Sequence, residues 1–201
     1  MKSLFDFIVT PVGDRYSNKK KIGDKELILN TEISGHEFVN RYATVVNTPV
    51  IYEGPIKPGD EIIIHHNVFR RFYDVRGNEK NSKSYFKEDQ YFCQIDQVFL
   101  YKQNEEWITP DDFCFVKPIT KRDKFSTDKE EPLKGVVKYL NTCIANMGIS
   151  EGDLIGFTPD SEYEFVIDGQ RLYRIPINSI SILYGHQRNQ AEYNTSWATG
   201  S

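Results

Sequence analysis

Short apolar runs alternate with turn-forming residues along most of the chain. Phe7-Ile8-Val9, Tyr42-Ala43-Thr44-Val45-Val46, Glu61-Ile62-Ile63-Ile64 and Tyr91-Phe92-Cys93-Gln94-Ile95 are rich in β-branched or aromatic residues. Such side chains suit a pleated, half-buried surface, so each run predicts a strand. Pro11-Val12-Gly13, Asn47-Thr48-Pro49 and Pro58-Gly59-Asp60 bound these runs with turn residues. The clearest hairpin is Asp168-Gly169 between two strand-like runs, because the favoured two-residue turn needs positive φ at both central positions. One stretch resists. Leu133, Val136, Val137, Leu140, Ile144 and Met147 follow a helical spacing. Gly135 and the pair Val136-Val137 favour a strand instead. The reading is a strand, with any short helix confined to 139–147.

An internal repeat supports that choice and constrains the fold most strongly. Phe7-Ile8-Val9-Thr10-Pro11-Val12 recurs as Phe113-Cys114-Phe115-Val116-Lys117-Pro118-Ile119, and Thr44-Val45-Val46-Asn47 as Gly135-Val136-Val137-Lys138. Ile56-Lys57-Pro58-Gly59-Asp60-Glu61-Ile62 recurs as Ile149-Ser150-Glu151-Gly152-Asp153-Leu154-Ile155, and the block 90–101 as 171–184. The offset falls from 107 at Pro11 and Pro118 to 93 at Asp60 and Asp153, so the second copy has a shorter loop after its first strand. Between its Gly-Asp strand and its last strand, in the region that holds 76–78 and then 87–89, the first copy carries an insertion that the second lacks. A boundary is expected in the polar stretch 103–112.

Composition narrows the class. The 201 residues include 25 Lys and Arg against 29 Asp and Glu, a net charge of −4, and 39% are hydrophobic. That fits one or two globular domains and argues against nonspecific binding to nucleic acid or an anionic membrane. No apolar run reaches the roughly 20 residues that span a bilayer, and Asp6 interrupts any signal-peptide core. Cys93, Cys114 and Cys143 are odd in number and far apart, with no CxxC pair. A reducing cytoplasm is the expected location, with Cys93 and Cys114 as small buried hydrophobes.

Short antiparallel strands of this kind bury one face by closing on themselves, which predicts small β-barrels. Glu151-Gly152-Asp153-Leu154-Ile155-Gly156-Phe157, the hairpin at Asp168-Gly169, and Ser179-Ile180-Ser181-Ile182-Leu183 resemble the C-terminal half of GroES-type co-chaperonins. Residues 7–11 and 115–118 resemble that family's opening strand, and the likeness covers most of 5–101 and 113–184. It implies an all-β chain of two tandem GroES-like barrels: 1–104 with a long mobile loop at about 14–41, 105–185 without that loop, and a tail at 186–201. In the family, ATP-bound chaperonin captures an aliphatic triplet on the loop. Leu27-Ile28-Leu29 is similar to it in content and place. The resemblance therefore implies that Leu27, Ile28 and Leu29 bind a GroEL-type chaperonin, that the protein encloses a folding substrate protein, and that it assembles as a homo-oligomeric ring of seven chains. A long interval without structure of its own is usually functional or disordered. The plain alternative makes the triplet one more buried strand. Only 47–55 stands where the family has a roof hairpin, as in the roofless co-chaperonins of bacteriophages, which would place the protein in a host cytoplasm.

Enzyme chemistry is not expected. No GxGxxG or P-loop is present, so no nucleotide cofactor is implied, and His36 and His186 lack ligand-spaced company for a metal. His65-His66 is read as a strand pair whose side chains point to opposite faces. Two binding classes compete with the co-chaperonin reading. Phe69-Arg70-Arg71-Phe72-Tyr73-Asp74-Val75-Arg76 interleaves aromatic and basic residues as single-strand nucleic-acid binders do, although Glu79, Glu88 and Asp89 dilute its charge. A phage structural or decoration protein on the same barrel is the other.

Overall fold

The computed structural model describes residues 3–16, 19–22, 25–28, 38–110, 112–121 and 129–186, with the backbone alone of 19–22 and 25–28. The chain divides into two compact units, Met1–Glu106 and Trp107–Ser201. The division lies two residues beyond the 104/105 boundary read from the repeat. Both units are built of antiparallel strands.

The first unit holds β1 (Phe7–Pro11), β2 (Lys19–Ile22), β3 (Lys25–Ile28), β4 (Tyr42–Asn47), β5 (Glu61–Ile64), β6 (Arg71–Tyr73), β7 (Glu79–Asn81), β8 (Tyr85–Lys87), β9 (Gln90–Cys93) and β10 (Val98–Gln103). The division falls within β11 (Glu106–Ile108). The main sheet runs β11-β10-β5-β4-β1-β9-β8, while β2-β3 and β6-β7 are separate two-stranded ladders. The second unit holds β12 (Phe113–Thr120), β13 (Glu130–Tyr139), α1 (Thr142–Asn146), β14 (Asp153–Phe157), β15 (Tyr163–Ile167), β16 (Gln170–Pro176) and β17 (Ile180–His186). Its sheet runs β15-β16-β12-β13-β14-β17. Read from β8 and from β15, the two orders are the same over six strands. Among the described residues each hydrogen-bonded order is open, ending at β8 and β11 in one unit and at β15 and β17 in the other.

The likeness extends to irregularities. Val9 faces Val45 and Ile8 faces Asn47, leaving Val46 extra; Val116 faces Val137 and Phe115 faces Tyr139, leaving Lys138 extra. A second bulge leaves Phe99 extra between β10 and β5, and Ser181 extra between β17 and β14. Bulges bend a strand and raise its twist, so matching bulges give the two sheets matching curvature. The Gly-Asp turns also coincide. Lys57 N–H donates to Asp60 Oδ2 and Ser150 N–H to Asp153 Oδ2, both at 2.8 Å. Gly59 N–H reaches the Val45 carbonyl at 2.8 Å, and Gly152 N–H the Val137 carbonyl at 2.9 Å. Gly59 and Gly152 have φ of +97° and +89°, a region costly for any residue with a Cβ.

These pairings correct the repeat alignment by one residue in two places. Val45 corresponds to Val137 and Thr44 to Val136, because Val9 and Val116 select them as partners. Tyr91 faces Val9 and Tyr173 faces Val116, so the 90s block matches at a constant offset of 82 through β9 and β10. A one-residue slip exchanges the faces of a strand, and burial agrees: Val45 and Val137 are both buried.

The difficult stretch resolves into a strand followed by a short helix. Leu133 sits at a positive φ of 57° within β13. Asn141 then caps α1, its Oδ1 accepting the Ile144 N–H at 3.0 Å. Its Nδ2 donates to the Pro110 carbonyl at 2.7 Å, and Asn141 is buried. The Asp168-Gly169 turn has φ of 51° and 73°, as its sequence requires. Each unit has its own core. Phe7, Val9, Ile62, Ile64 and Tyr91 are buried in the first. Cys114, Val116, Val137, Ile144, Ile155 and Ile175 cluster in the second. Cys93 and Cys114 are fully buried, and burial pushes the Cys114 thiol up to about 12. No helix among the described residues is long and apolar enough to cross a membrane.

Candidate partner-binding site

The feature that most separates the two units is the excursion between β1 and β4. Gly13, at a φ of 77°, turns the chain after Pro11. The two ends of the excursion then return to each other. Tyr16 and Val39 form an antiparallel bridge, and Asn40 N–H donates to the Arg15 carbonyl at 2.9 Å. Asn40 staples both stems. Its Nδ2 donates to the carbonyls of Val12 at 2.8 Å and Asp14 at 2.9 Å, while its Oδ1 accepts the Tyr42 N–H. Tyr16 and Val39 are buried. The excursion thus has a closed neck, with residues 17–37 lying in sequence between its two ends.

Within the excursion, Leu27 lies opposite Lys20 and Ile28 opposite Lys19 in the β2–β3 ladder. Leu29 lies outside the described residues, as do 17–18, 23–24 and 30–37 of the interval read as a mobile loop. Residues 17–37 carry four lysines and four acids. That stretch therefore carries no net charge to steer an anionic partner.

The second insertion of the first unit meets the neck. Arg15 donates from Nη2 to the Phe69 carbonyl at 2.6 Å and from Nη1 to Asn81 Oδ1 at 2.9 Å. It therefore spans the base of the β6–β7 hairpin, whose first and last residues, Arg71 and Asn81, face each other. Tyr16 Oη accepts the Arg71 N–H at 2.6 Å, and the Arg71 guanidinium lies 4.6 Å over the Tyr16 ring. Arg15 itself stacks 4.9 Å over the buried Tyr91 ring. Burial lowers the Arg15 pKa, but a guanidinium keeps its charge in a protein. Arg15, Tyr16, Asn40 and Asn81 escape sequence reading, since isolated polar residues in loops carry no periodicity. Their one signal is that they flank or lie within the two segments that the second copy lacks.

The aromatic-basic run is divided by the fold. Phe69 is fully buried. Arg71 pairs with Glu79 at 2.7 Å and belongs to the neck. Arg70 and Phe72 line an open cleft of about 620 Å³ with Lys83, Phe92, Asp6 and Gln94. Phe72, Tyr73 and Val75 are exposed. The two histidines are also placed otherwise than expected. β5 ends at Ile64, His65 caps a 3-10 turn by accepting the Asn67 N–H at its Nδ1, and the imidazoles stack with centroids 4.3 Å apart. The strand alternation assumed for them does not apply once the chain turns. Among the described residues no group of three or more His, Cys, Asp or Glu is gathered for a metal.

In the second unit the corresponding place is closed by its own strands. β12 and β13 pair as far as Thr120 and Glu130. Arg171 donates from Nε to Glu164 Oε2 and from Nη1 to Glu130 Oε2, both at 2.7 Å, and also contacts Tyr173 Oη. Tyr173 donates to Glu130 Oε1 at 2.8 Å. Burial, reinforced by the Glu130 bond, pushes the Tyr173 hydroxyl well above its usual value, so it stays a donor. These groups satisfy one another, which is the pattern of a lock rather than of a site awaiting a substrate.

No protein-family model matches the chain, and no curated protein matches it.

Proposed function

We propose that the protein is a GroES-type co-chaperonin, built of two tandem small barrels, that caps an ATP-driven chaperonin ring and encloses a folding substrate. The observation that carries this reading is a duplication whose first copy alone carries the excursion. The same strand order, bulges and Gly-Asp turn occur twice, whereas a necked excursion holding an aliphatic triplet occurs only in the first copy. Leu27, Ile28 and Leu29 enter an apolar groove of the chaperonin. Each aliphatic side chain buried there contributes about 1.5–3 kcal/mol before the cost of ordering. Seven chains in a ring multiply that weak contact. β17 supports assembly, since it ends its sheet with Ile182, Leu183 and Tyr184 exposed, a surface that invites another strand. ATP binds the partner, and this chain performs no catalysis. Its setting is the cytoplasm, a host's if the chain is phage-encoded.

The test is co-elution with a GroEL-type chaperonin. Complex is expected with ATP and not without nucleotide, with seven chains per ring by native mass spectrometry. Leu27→Asp with Ile28→Asp should abolish it and leave the far-ultraviolet circular dichroism unchanged. Failure of the unaltered protein to co-elute in any nucleotide state sinks the reading. A second reading, single-stranded nucleic-acid binding, draws on the cleft lined by Arg70, Phe72 and Lys83. It takes over if the protein retains single-stranded DNA in a steeply salt-dependent way and Arg70→Ala removes that affinity.

A further inference from the structure

We propose that the β6–β7 hairpin is a brace that fixes the neck of the 17–37 excursion, with Arg15 as the positioning residue that joins them. The neck leaves the sheet at 12–16 and returns at 38–42. On its own it would be held by the Tyr16–Val39 bridge, the backbone bonds of Asn40 and Val12 to the Arg15 and Tyr42 carbonyls, and the Asn40 staple. The hairpin adds three bonds at a single place: Arg15 to the Phe69 carbonyl, Arg15 to Asn81, and the Arg71 N–H to Tyr16 Oη. Two stacked guanidiniums, Arg15 on Tyr91 and Arg71 on Tyr16, fill the space between. Glu79 then holds Arg71 from the opposite strand of the hairpin at 2.7 Å. Bonds to charged donors are about twice as strong as neutral ones. The Arg15 fork also fixes an orientation, which a single bond does not.

The co-occurrence gives the brace its meaning. The second unit lacks the excursion and lacks the hairpin, β14 passing to β15 through residues 158–162 alone. Its tyrosine opposite Val116 takes an arginine from its own strand, Arg171, instead of one from a neck. A braced neck fixes both ends of the excursion before any partner arrives. Capture then pays less ordering entropy, the usual effect of pre-organisation. This last step rests on the co-chaperonin reading; the brace itself does not.

Amide hydrogen exchange in the free, full-length protein separates the two. Reporters are the amides of Asn40 and Val12, which bond to the Arg15 and Tyr42 carbonyls, with Gly152 of the second unit as control. Arg15→Ala should speed exchange at Asn40 and Val12 roughly tenfold to a hundredfold, from the strength of bonds to charged groups, and leave Gly152 unchanged. Asn81→Ala, at an exposed position, should give about tenfold. Asn81→Asp should restore protection, because a carboxylate accepts the same Arg15 bond. Unchanged exchange at Asn40 and Val12 in both alanine variants overturns the brace, and so does failure of Asn81→Asp to restore it. With a GroEL-type chaperonin and ATP, Asn81→Ala should weaken capture about tenfold and Asn81→Asp should recover it. If the unaltered protein does not bind the chaperonin, the co-chaperonin reading falls while the exchange data still decide the brace.

Discussion

In the first unit, the tyrosine opposite Val9 is covered by Arg15, which arrives from the neck of an excursion. In the second, the tyrosine opposite Val116 is covered by Arg171, two residues away on the same strand. The sheets beneath are alike in strand order, bulge positions and turn geometry. The same place on one scaffold therefore anchors the neck of an excursion in one copy and seals an internal network in the other. The exchange is possible because the sheet's register depends on its bulges and buried faces, not on the residue that caps this tyrosine. Loops can diverge over a rigid scaffold for that reason, and it is where binding residues tend to gather.

The comparison can be broken most forcefully at Arg171. Its side chain and that of Glu164 are nearly buried. Arg171→Ala leaves Glu164 without its cation inside the unit, and removing one partner of a buried pair costs about 3–5 kcal/mol. Denaturant unfolding should show that loss in the second unit, with the first little changed. The corresponding Arg15→Ala should loosen the neck without unfolding its sheet. Equal global losses for both substitutions would mean that the two arginines do the same work.

A smaller effect sharpens the likeness. Asp60→Ala and Asp153→Ala each remove a 2.8 Å bond that holds a Gly-Asp turn. A hydrogen bond to a charged group contributes about 1.5–3 kcal/mol. The loss should be greater at Asp153, which is buried, than at the half-exposed Asp60. A negligible loss at either position, measured by denaturant unfolding, would show that the turns match in shape but not in energetic role.

The smallest effect is local and pH-dependent. The Asp74 carboxylate accepts the N–H of Asn78 and that of Arg76, both at 2.9 Å, closing the β6–β7 turn. The Asn78 bond foremost, with the Arg76 bond, holds its pKa below the usual value. A lowered folded pKa means that the contribution is fully present above the ordinary aspartate value of about 3.9. It is lost as pH falls through the folded value. The protection of the Asn78 amide, its exchange measured against the unstructured rate at the same pH, should therefore fall on acidification, and Asp74→Asn should flatten that dependence. The second unit has no such turn and offers the internal control.

The sequence made the duplication visible because strands, turns and their order are written locally. Strand-like runs show as β-branched clusters, and Asp168-Gly169 adopts the positive φ pair that its residues favour. The alignment still slipped by one residue where Val45-Val46 meets Val136-Val137. Two adjacent valines look alike on paper, and only the partner strand decides which one faces inward. The histidine pair misled for a related reason. Alternation was assumed beyond Ile64, where the chain had already turned at the His65 cap.

Sequence alone thus determined an all-β chain with two copies of one strand pattern, and an aliphatic triplet in the longer interval of the first. Periodicity and turn chemistry are short-range properties, which a single chain displays without folding. Tertiary structure decided the shared bulges, the closed neck and the joining of the two insertions. Arg15 reaches Asn81 across 66 residues of sequence. A bond between two isolated polar side chains leaves no pattern along the chain, because it exists only once folding has brought the neck and the hairpin together.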